Sequence, residues 1–153
     1  MTPARYWIGV ASREHVRVGR RGGFAQFGHG KLGPAKRLSR GDWVIYYSGK
    51  ERYGEPAPCQ KFTALGRVAD AAPFQVTQFP GFRPYRRRVR YERTRDVDIR
   101  PLIARLTFIK NKARWGGAFR FGFLEIPEAD FRAIAGRMRT PPGRARPRAP
   151  RGR

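Results

Sequence analysis

The apolar residues of this chain come in short runs set off by glycine and proline, and that punctuation limits what it can build. With 18 glycines and 13 prolines among 153 residues, long helices have little room. No stretch approaches the roughly 18 apolar residues that would span a membrane. The clearest run, Asp42-Trp43-Val44-Ile45-Tyr46-Tyr47, is entered through the turn Arg40-Gly41 and predicts a strand. Tyr6 to Ala11 predicts another, followed by Ser12 as a helix N-cap and one short turn or helix over 13–16. The glycines between Gly19 and Gly33 predict a loop, and Pro34 opens a short helix reaching Leu38. A third strand is expected over Phe62–Ala71, with Phe62, Ala64, Gly66 and Val68 on one side. Residues 73–84 read as irregular. Tyr85–Tyr91 alternates, with Arg86, Arg88 and Arg90 pointing one way and Arg87, Val89 and Tyr91 the other. Asp98 caps a short helix, and Phe108–Gly117 is a polar, basic loop. Phe119–Ile126 predicts a fifth strand with Phe119, Phe121 and Phe123 on one face. Pro127 starts a final helix with Phe131, Ile134 and Ala135 inward. Five strands among short helices imply a small α+β domain around a curved sheet or partial barrel.

Charge narrows the partners. Thirty-four Lys and Arg against eleven Asp and Glu give a net charge of +23. An excess of that size repels itself and makes sense beside a polyanion. Seven of the arginines lie in residues 137–153, with four prolines and no acid, so this stretch is expected to be a disordered basic tail following a domain over 1–136. The domain alone keeps 27 basic residues against 11 acidic, still +16. The single cysteine, Cys59, excludes an intrachain disulfide and a cysteine-cluster zinc site. With no apolar leader at its N-terminus, the chain is expected in the reducing cytoplasm.

Gly28-His29-Gly30-Lys31-Leu32-Gly33 has the spacing of a dinucleotide fingerprint, with Glu51 at a suitable distance beyond it. The fingerprint needs a buried strand before it and a full helix after it. Here Arg20-Arg21-Gly22-Gly23 precedes it, and a helix would stop before Gly41. Ala25 stands where a phosphate-binding loop has its first glycine. What remains is a glycine loop presenting Gln26, His29 and Lys31. His15 and His29 are not at a metal-ligand spacing, and the acids cluster only where helix N-termini explain them. Neither a metal, a cofactor nor a catalytic triad is therefore expected. A small nucleotide-binding enzyme using His29 as acid/base is the weaker alternative to a binding protein.

Basic, amide and aromatic residues interleave from Phe108 to Arg120. Lys110, Lys112 and Arg120 can neutralise phosphates, Asn111 can read a base edge, and Trp115 in a glycine-flanked loop can stack on an extruded base. Arg86, Arg88 and Arg90 offer a ladder for tracking phosphates. Trp7 and Trp43, inside strands, favour core packing. Tyr46 and Tyr47 face opposite ways, so one is expected in the core and the other beside a cavity.

Four segments together resemble the EVE domain family of the PUA-like superfamily. They are Tyr6-Trp7-Ile8-Gly9-Val10-Ala11-Ser12 with Glu14-His15-Val16, Gly22-Gly23-Phe24-Ala25-Gln26 with His29-Gly30-Lys31, Gly41-Asp42-Trp43-Val44-Ile45-Tyr46-Tyr47-Ser48, and Phe108-Ile109-Lys110-Asn111-Lys112 with Trp115-Gly116 and Phe119-Arg120-Phe121-Gly122. The similarity spans about residues 5–136. It implies a PUA-like fold, a curved and mostly antiparallel pseudo-barrel of five or six strands with short helices. Relatives of that fold include SRA, YTH and RNA-binding PUA domains. The resemblance further implies a non-enzymatic reader that binds DNA or RNA and holds a methylated or hydroxymethylated base in a central cleft. The matching positions are Trp7, Ser12, Gln26, His29, Lys31, Tyr46, Tyr47, Lys110, Asn111, Lys112, Trp115, Phe119 and Arg120. An RNA-binding module acting on tRNA or rRNA is the alternative that the same resemblance allows.

Overall fold

The structure is a computed structural model and describes residues 3–139. Its strands are β1 (Tyr6–Val10), β2 (Phe24–Ala25), β3 (Trp43–Lys50), β4 (Pro58–Val68), β5 (Phe74–Gln75), β6 (Tyr85–Tyr91), β7 (Val97–Asp98) and β8 (Phe123–Ile126). Three α-helices accompany them, α1 (Arg13–Gly22), α2 (Leu32–Arg37) and α3 (Glu128–Arg139), with 3₁₀ turns at Gly28–Gly30, Arg100–Arg105 and Trp115–Phe119. Six strands follow one path, β2-β6-β4-β3-β1-β8, with β5 paired to β6 and β7 to β4. Only β1 and β3 run parallel; the other pairs among the described strands are antiparallel. The mostly antiparallel, curled sheet with short helices is the expected fold, with eight strands where five or six were expected.

Strand alternation divides the core in two. Trp7, Ala25, Val44, Tyr46, Ala64, Val68, Val89 and Phe123 form one cluster, to which all six strands of the path contribute. A cluster lined by all six strands of that path is the inside of the curled sheet. The opposite face carries Ile8, Ile45, Tyr47 and Leu65, covered by Phe131, Ile134, Ala135 and Met138 of α3 and by Leu102 and Phe119 of the 3₁₀ turns. One residue crosses over. Tyr46 pairs with Ala64 but Tyr47 with Phe62, so Thr63 is an extra residue bulged out of β4. The bulge sends Phe62 to the outer cluster while Ala64 and Val68 stay inside. The expectation that all four alternating residues share a side fails there.

Other boundaries differ from the sequence reading, among them β4, which runs Pro58–Val68 where Phe62–Ala71 was expected. Helix α1 is capped by Ser12, whose hydroxyl accepts the His15 N–H at 3.3 Å, and it continues ten residues to Gly22, through part of the predicted loop. Gly19 lies inside it because a Cβ there would sit 2.7 Å from the Phe24 carbonyl oxygen; the glycine serves close packing, not a turn. Gly23 then ends the helix in the left-handed region (φ 69°), its N–H donated to the Gly19 carbonyl. The fifth predicted strand begins at Phe123, not Phe119, because Phe119 closes a 3₁₀ turn and Gly122 has φ +77°. Phe119 is consequently buried in the outer cluster, Phe123 in the inner one, and Phe121 is 83% exposed. Helix α3 extends through Arg139, with Met138 buried and Arg139 paired to Glu92 at 2.8 Å. Residues 137–139 therefore belong to the folded part, and the remainder of the expected tail lies outside the described residues.

Gly30 is held by geometry on two counts. Its φ is +80°, and a Cβ would fall 2.2 Å from Pro84 Cβ. Gly30→Ala should lower stability by more than about 1 kcal/mol, since the new methyl has neither a relaxed conformation nor space. A urea titration that finds the variant within a few tenths of the parent would contradict this account of the 28–30 turn.

Candidate nucleic-acid interface

The expected single cleft is two separate places. The first is the loop after the Arg100–Arg105 turn. Asp130, buried at the start of α3, accepts the Thr107 N–H (3.1 Å), the Thr107 hydroxyl (2.9 Å) and the Phe108 N–H (2.9 Å). From that anchor the chain turns at Asn111, whose Oδ1 accepts the N–H groups of Ala113 and Arg114, both at 3.1 Å. Lys112 folds back, its Nζ donating to the carbonyls of Ile103 (3.1 Å) and Leu106 (2.7 Å). Trp115 then settles half-buried, edge-on to Tyr47 with ring centres 6.4 Å apart. Between these residues lies a recess of about 340 Å³, lined chiefly by Phe108, Lys110, Asn111, Arg114 and Trp115. That volume is at the small end of ligand pockets, roughly 300–1,000 Å³.

Within this loop the expected roles divide. Asn111 spends its oxygen on the turn and keeps its amide nitrogen as the group to offer. Lys112 is a brace for the preceding carbonyls. Lys110, Arg114 and Arg120 are exposed and form no ion pair with a carboxylate among the described residues; Arg120 lies over the Phe121 ring at 5.2 Å. Phe119 is buried beneath the recess, stacked on Tyr47 at 4.0 Å.

The second place is the glycine loop with β6. The Gln26 Oε1 accepts from Arg86 Nε at 3.0 Å, and Arg86 also donates to Gln78 Oε1 at 3.2 Å. The Arg86 guanidinium covers the Phe24 ring at 3.8 Å, and Arg88 covers Phe74 at 4.2 Å. Burial lowers the pKa of Arg86, and the neighbouring Arg88 charge acts in the same direction. Arg86, Arg88 and Arg90 form no ion pair, so the ladder keeps its charge among the described residues. Arg87, on the other face, is fully buried. His29 is exposed at φ +60°, its ring 6.2 Å from Tyr53, while Lys31 is exposed and Ser12 is committed to capping α1. Tyr53, 73% exposed, also faces His15 at 6.3 Å.

Trp7, Tyr46 and Tyr47 take structural positions. Trp7 is buried, stacked on Phe123 at 4.9 Å, with its indole N–H given to Asp42 Oδ2 at 3.0 Å. Tyr46 is buried, its hydroxyl donating to the Gln26 carbonyl (3.0 Å) and accepting the Gln26 N–H (3.1 Å). Tyr47 is buried too, against the expectation that only one of the pair would be, and burial pushes its phenol up to about 12. Sequence reasoning passed over Gln78, Phe24, Phe74 and Tyr53. Isolated glutamines and phenylalanines carry no local signal; the β2–β6 and β5–β6 pairings bring Phe24 and Phe74 to Arg88 and Arg86, and the loop between β5 and β6, closed by the Gln78 N–H to the Phe82 carbonyl, brings Gln78. Among the described residues no helix is long and apolar enough to cross a membrane.

The profile of a family described as the EVE domain matches residues 5–137. A UPF0310 protein from Bacillus licheniformis is 50% identical over 127 residues, covering 83% of this chain and 86% of that one. A UPF0310 protein from Mycolicibacterium vanbaalenii is 47% identical over 135 residues, covering 88% and 93%. Two solved structures share the fold at low identity. A hypothetical protein from Leishmania major superposes with a TM-score of 0.56 at 10% identity, covering 88% of this chain and 94% of that one. The YTH domain of the Zygosaccharomyces rouxii MRB1 protein superposes with a TM-score of 0.54 at 17% identity, covering 92% and 91%.

Proposed function

The chain belongs to the EVE domain family, and from that premise we propose that it is a non-enzymatic nucleic-acid-binding domain that holds one modified base, methylated or hydroxymethylated, beside Trp115. The observation that carries the reading is the recess of about 340 Å³ that the basic–aromatic loop closes around the half-buried indole. A base pocket wants an aromatic plane, a polar group for the base edge and cations for the flanking phosphates. Trp115, the Asn111 amide nitrogen, and Lys110 with Arg114 supply these in turn. Arg86, Arg88 and Arg90 add sequence-independent affinity along a neighbouring stretch of backbone. The structurally similar YTH domain was solved in complex with N6-methyladenosine RNA, which supports a marked base as the ligand class.

Trp115→Ala should reduce the preference for modified over plain oligonucleotide by roughly 5- to 150-fold, the equivalent of about 1–3 kcal/mol for one base–aromatic stack. Lys110→Gln with Arg114→Gln should instead weaken both ligands alike. Matched oligonucleotides with and without each modification, titrated at two salt concentrations, decide it. Equal affinity of the parent chain for all bases, lost uniformly as salt rises, would leave only polyanion binding. The RNA in the YTH complex favours a second reading, an RNA-binding module acting on tRNA or rRNA. DNA and RNA of identical sequence separate the two, because the 2′-hydroxyl is what a protein reads to tell them apart.

A further inference from the structure

We propose that the groove between the C-terminal half of α1 and the end of β6 is a separate seat for the phosphodiester backbone of the bound nucleic acid. This rests on the nucleic-acid-binding reading but not on the Trp115 recess. The groove has a volume of about 670 Å³ and is lined by Arg17, Arg20, Arg21, Tyr91, Glu92 and Arg93. Arg17, Arg20 and Arg21 share one side of the helix through their three- and four-residue spacing, and Arg93 approaches from the segment that follows β6. Arg20 is tethered, its Nη1 donating to the Thr63 carbonyl at 3.4 Å. Arg17, Arg21 and Arg93 are exposed and form no ion pair among the described residues. Glu92, the one acid lining the groove, is already held by Arg139 at 2.9 and 2.8 Å. Tyr91 is fixed by its hydroxyl, which donates to the Phe24 carbonyl at 2.8 Å, and makes a rigid wall.

Folding explains only part of this arrangement. Arg20 and Arg21 lie in the last turn of α1, where the helix dipole favours cations, but like charges at Arg17 and Arg21, one turn apart, weaken a helix, and neither Arg17 nor Arg93 forms an ion pair with a carboxylate among the described residues. Four guanidiniums around an open trough, with the lining carboxylate spent elsewhere, fit a ligand that brings repeated negative charge. Arginine recognises phosphate oxygens in this way, and a backbone offers them in series.

The test uses the full chain with matched modified and plain oligonucleotides across a salt series. Each lost phosphate contact should make the slope of log affinity against log salt shallower by about 0.7 for single strands and 0.9 for duplex. Arg17→Gln/Arg21→Gln/Arg93→Gln should therefore flatten it by about 2 to 2.7, while the ratio of modified to plain affinity stays at the parent value. Arg17→Glu/Arg21→Glu should weaken binding further. A comparison triple on other surfaces, Lys36→Gln/Arg40→Gln/Arg132→Gln, should change the slope far less. An unchanged slope in both groove variants overturns the proposal and leaves the Trp115 reading standing. A ratio that falls along with the slope overturns it as well, because the groove would then belong to the base site. A parent chain that binds no oligonucleotide removes both readings.

Discussion

Asp70→Ala should cost the fold about 3–5 kcal/mol, the range for removing one partner of a buried ion pair. The guanidinium it abandons is that of Arg87, a fully buried residue. Arg87 Nε donates to Asp70 Oδ1 at 2.7 Å and its Nη2 to the Asp70 carbonyl at 2.9 Å. Its Nη1 reaches the carbonyls of Ala35, at 2.9 Å, and Leu38. Those two belong to the end of α2, where carbonyls have no partner within the helix. One side chain thus ties α2 and the loop after β4 to β6, and Asp70 Oδ2 adds the Arg88 N–H at 2.8 Å. Arg87→Lys should not preserve the site, because a single ammonium cannot meet four separated acceptors as a planar fork does. Urea unfolding at constant slope measures the loss as a shift in midpoint. A cost below about 1 kcal/mol would mean that water reaches and satisfies the stranded charge.

Asp130→Ala should cost about 2–4 kcal/mol and should also loosen the recess. Its carboxylate takes three donors from Thr107 and Phe108, and hydrogen bonds to a charged group contribute about 1.5–3 kcal/mol each before relaxation. Asp130→Asn retains one acceptor oxygen and should lose roughly half as much. The coupling to function is physical: those donors are where the loop carrying Lys110, Asn111 and Trp115 leaves the core. Preference for a modified base should therefore fall in the alanine variant even under conditions where it remains folded. Wild-type discrimination in a folded Asp130→Ala protein would separate the anchor from the recess.

The strand Tyr85–Tyr91 was legible to the residue, because alternating cations and apolar groups have the period of a pleated strand and nothing else competes. The Ser12 cap and the inward face of α3 were legible for the same kind of reason, a side-chain type at a fixed local offset. The end of α1 was not. Glycine looks alike in a sequence whether it frees the backbone, as at Gly23, or clears space for a passing carbonyl, as at Gly19. Nor was the division of Phe119, Phe121 and Phe123 among three environments, since the sign of φ at Gly122 does not register in a hydrophobic pattern.

The candidate site divides along the same line. The loop around Trp115 stood out because cations, an amide and an indole are consecutive, and the recess forms from neighbours. The partition of its residues into braces and free groups did not stand out, and neither did the convergence of Gln26, Arg86 and Gln78. By itself the sequence determined the five longer strands, the family, the surplus of positive charge and the stretch that carries the recess, but not the two-residue strands β2, β5 and β7. Tertiary structure alone decided which cations are consumed by the fold and which remain for a ligand. A guanidinium is engaged by whatever carboxylate or carbonyl folding brings within about 3 Å; beside local pairs such as Arg132 with Glu128, four residues apart, the partners include Asp70 for Arg87, 17 residues away, and Glu125 for Arg5, 120 away.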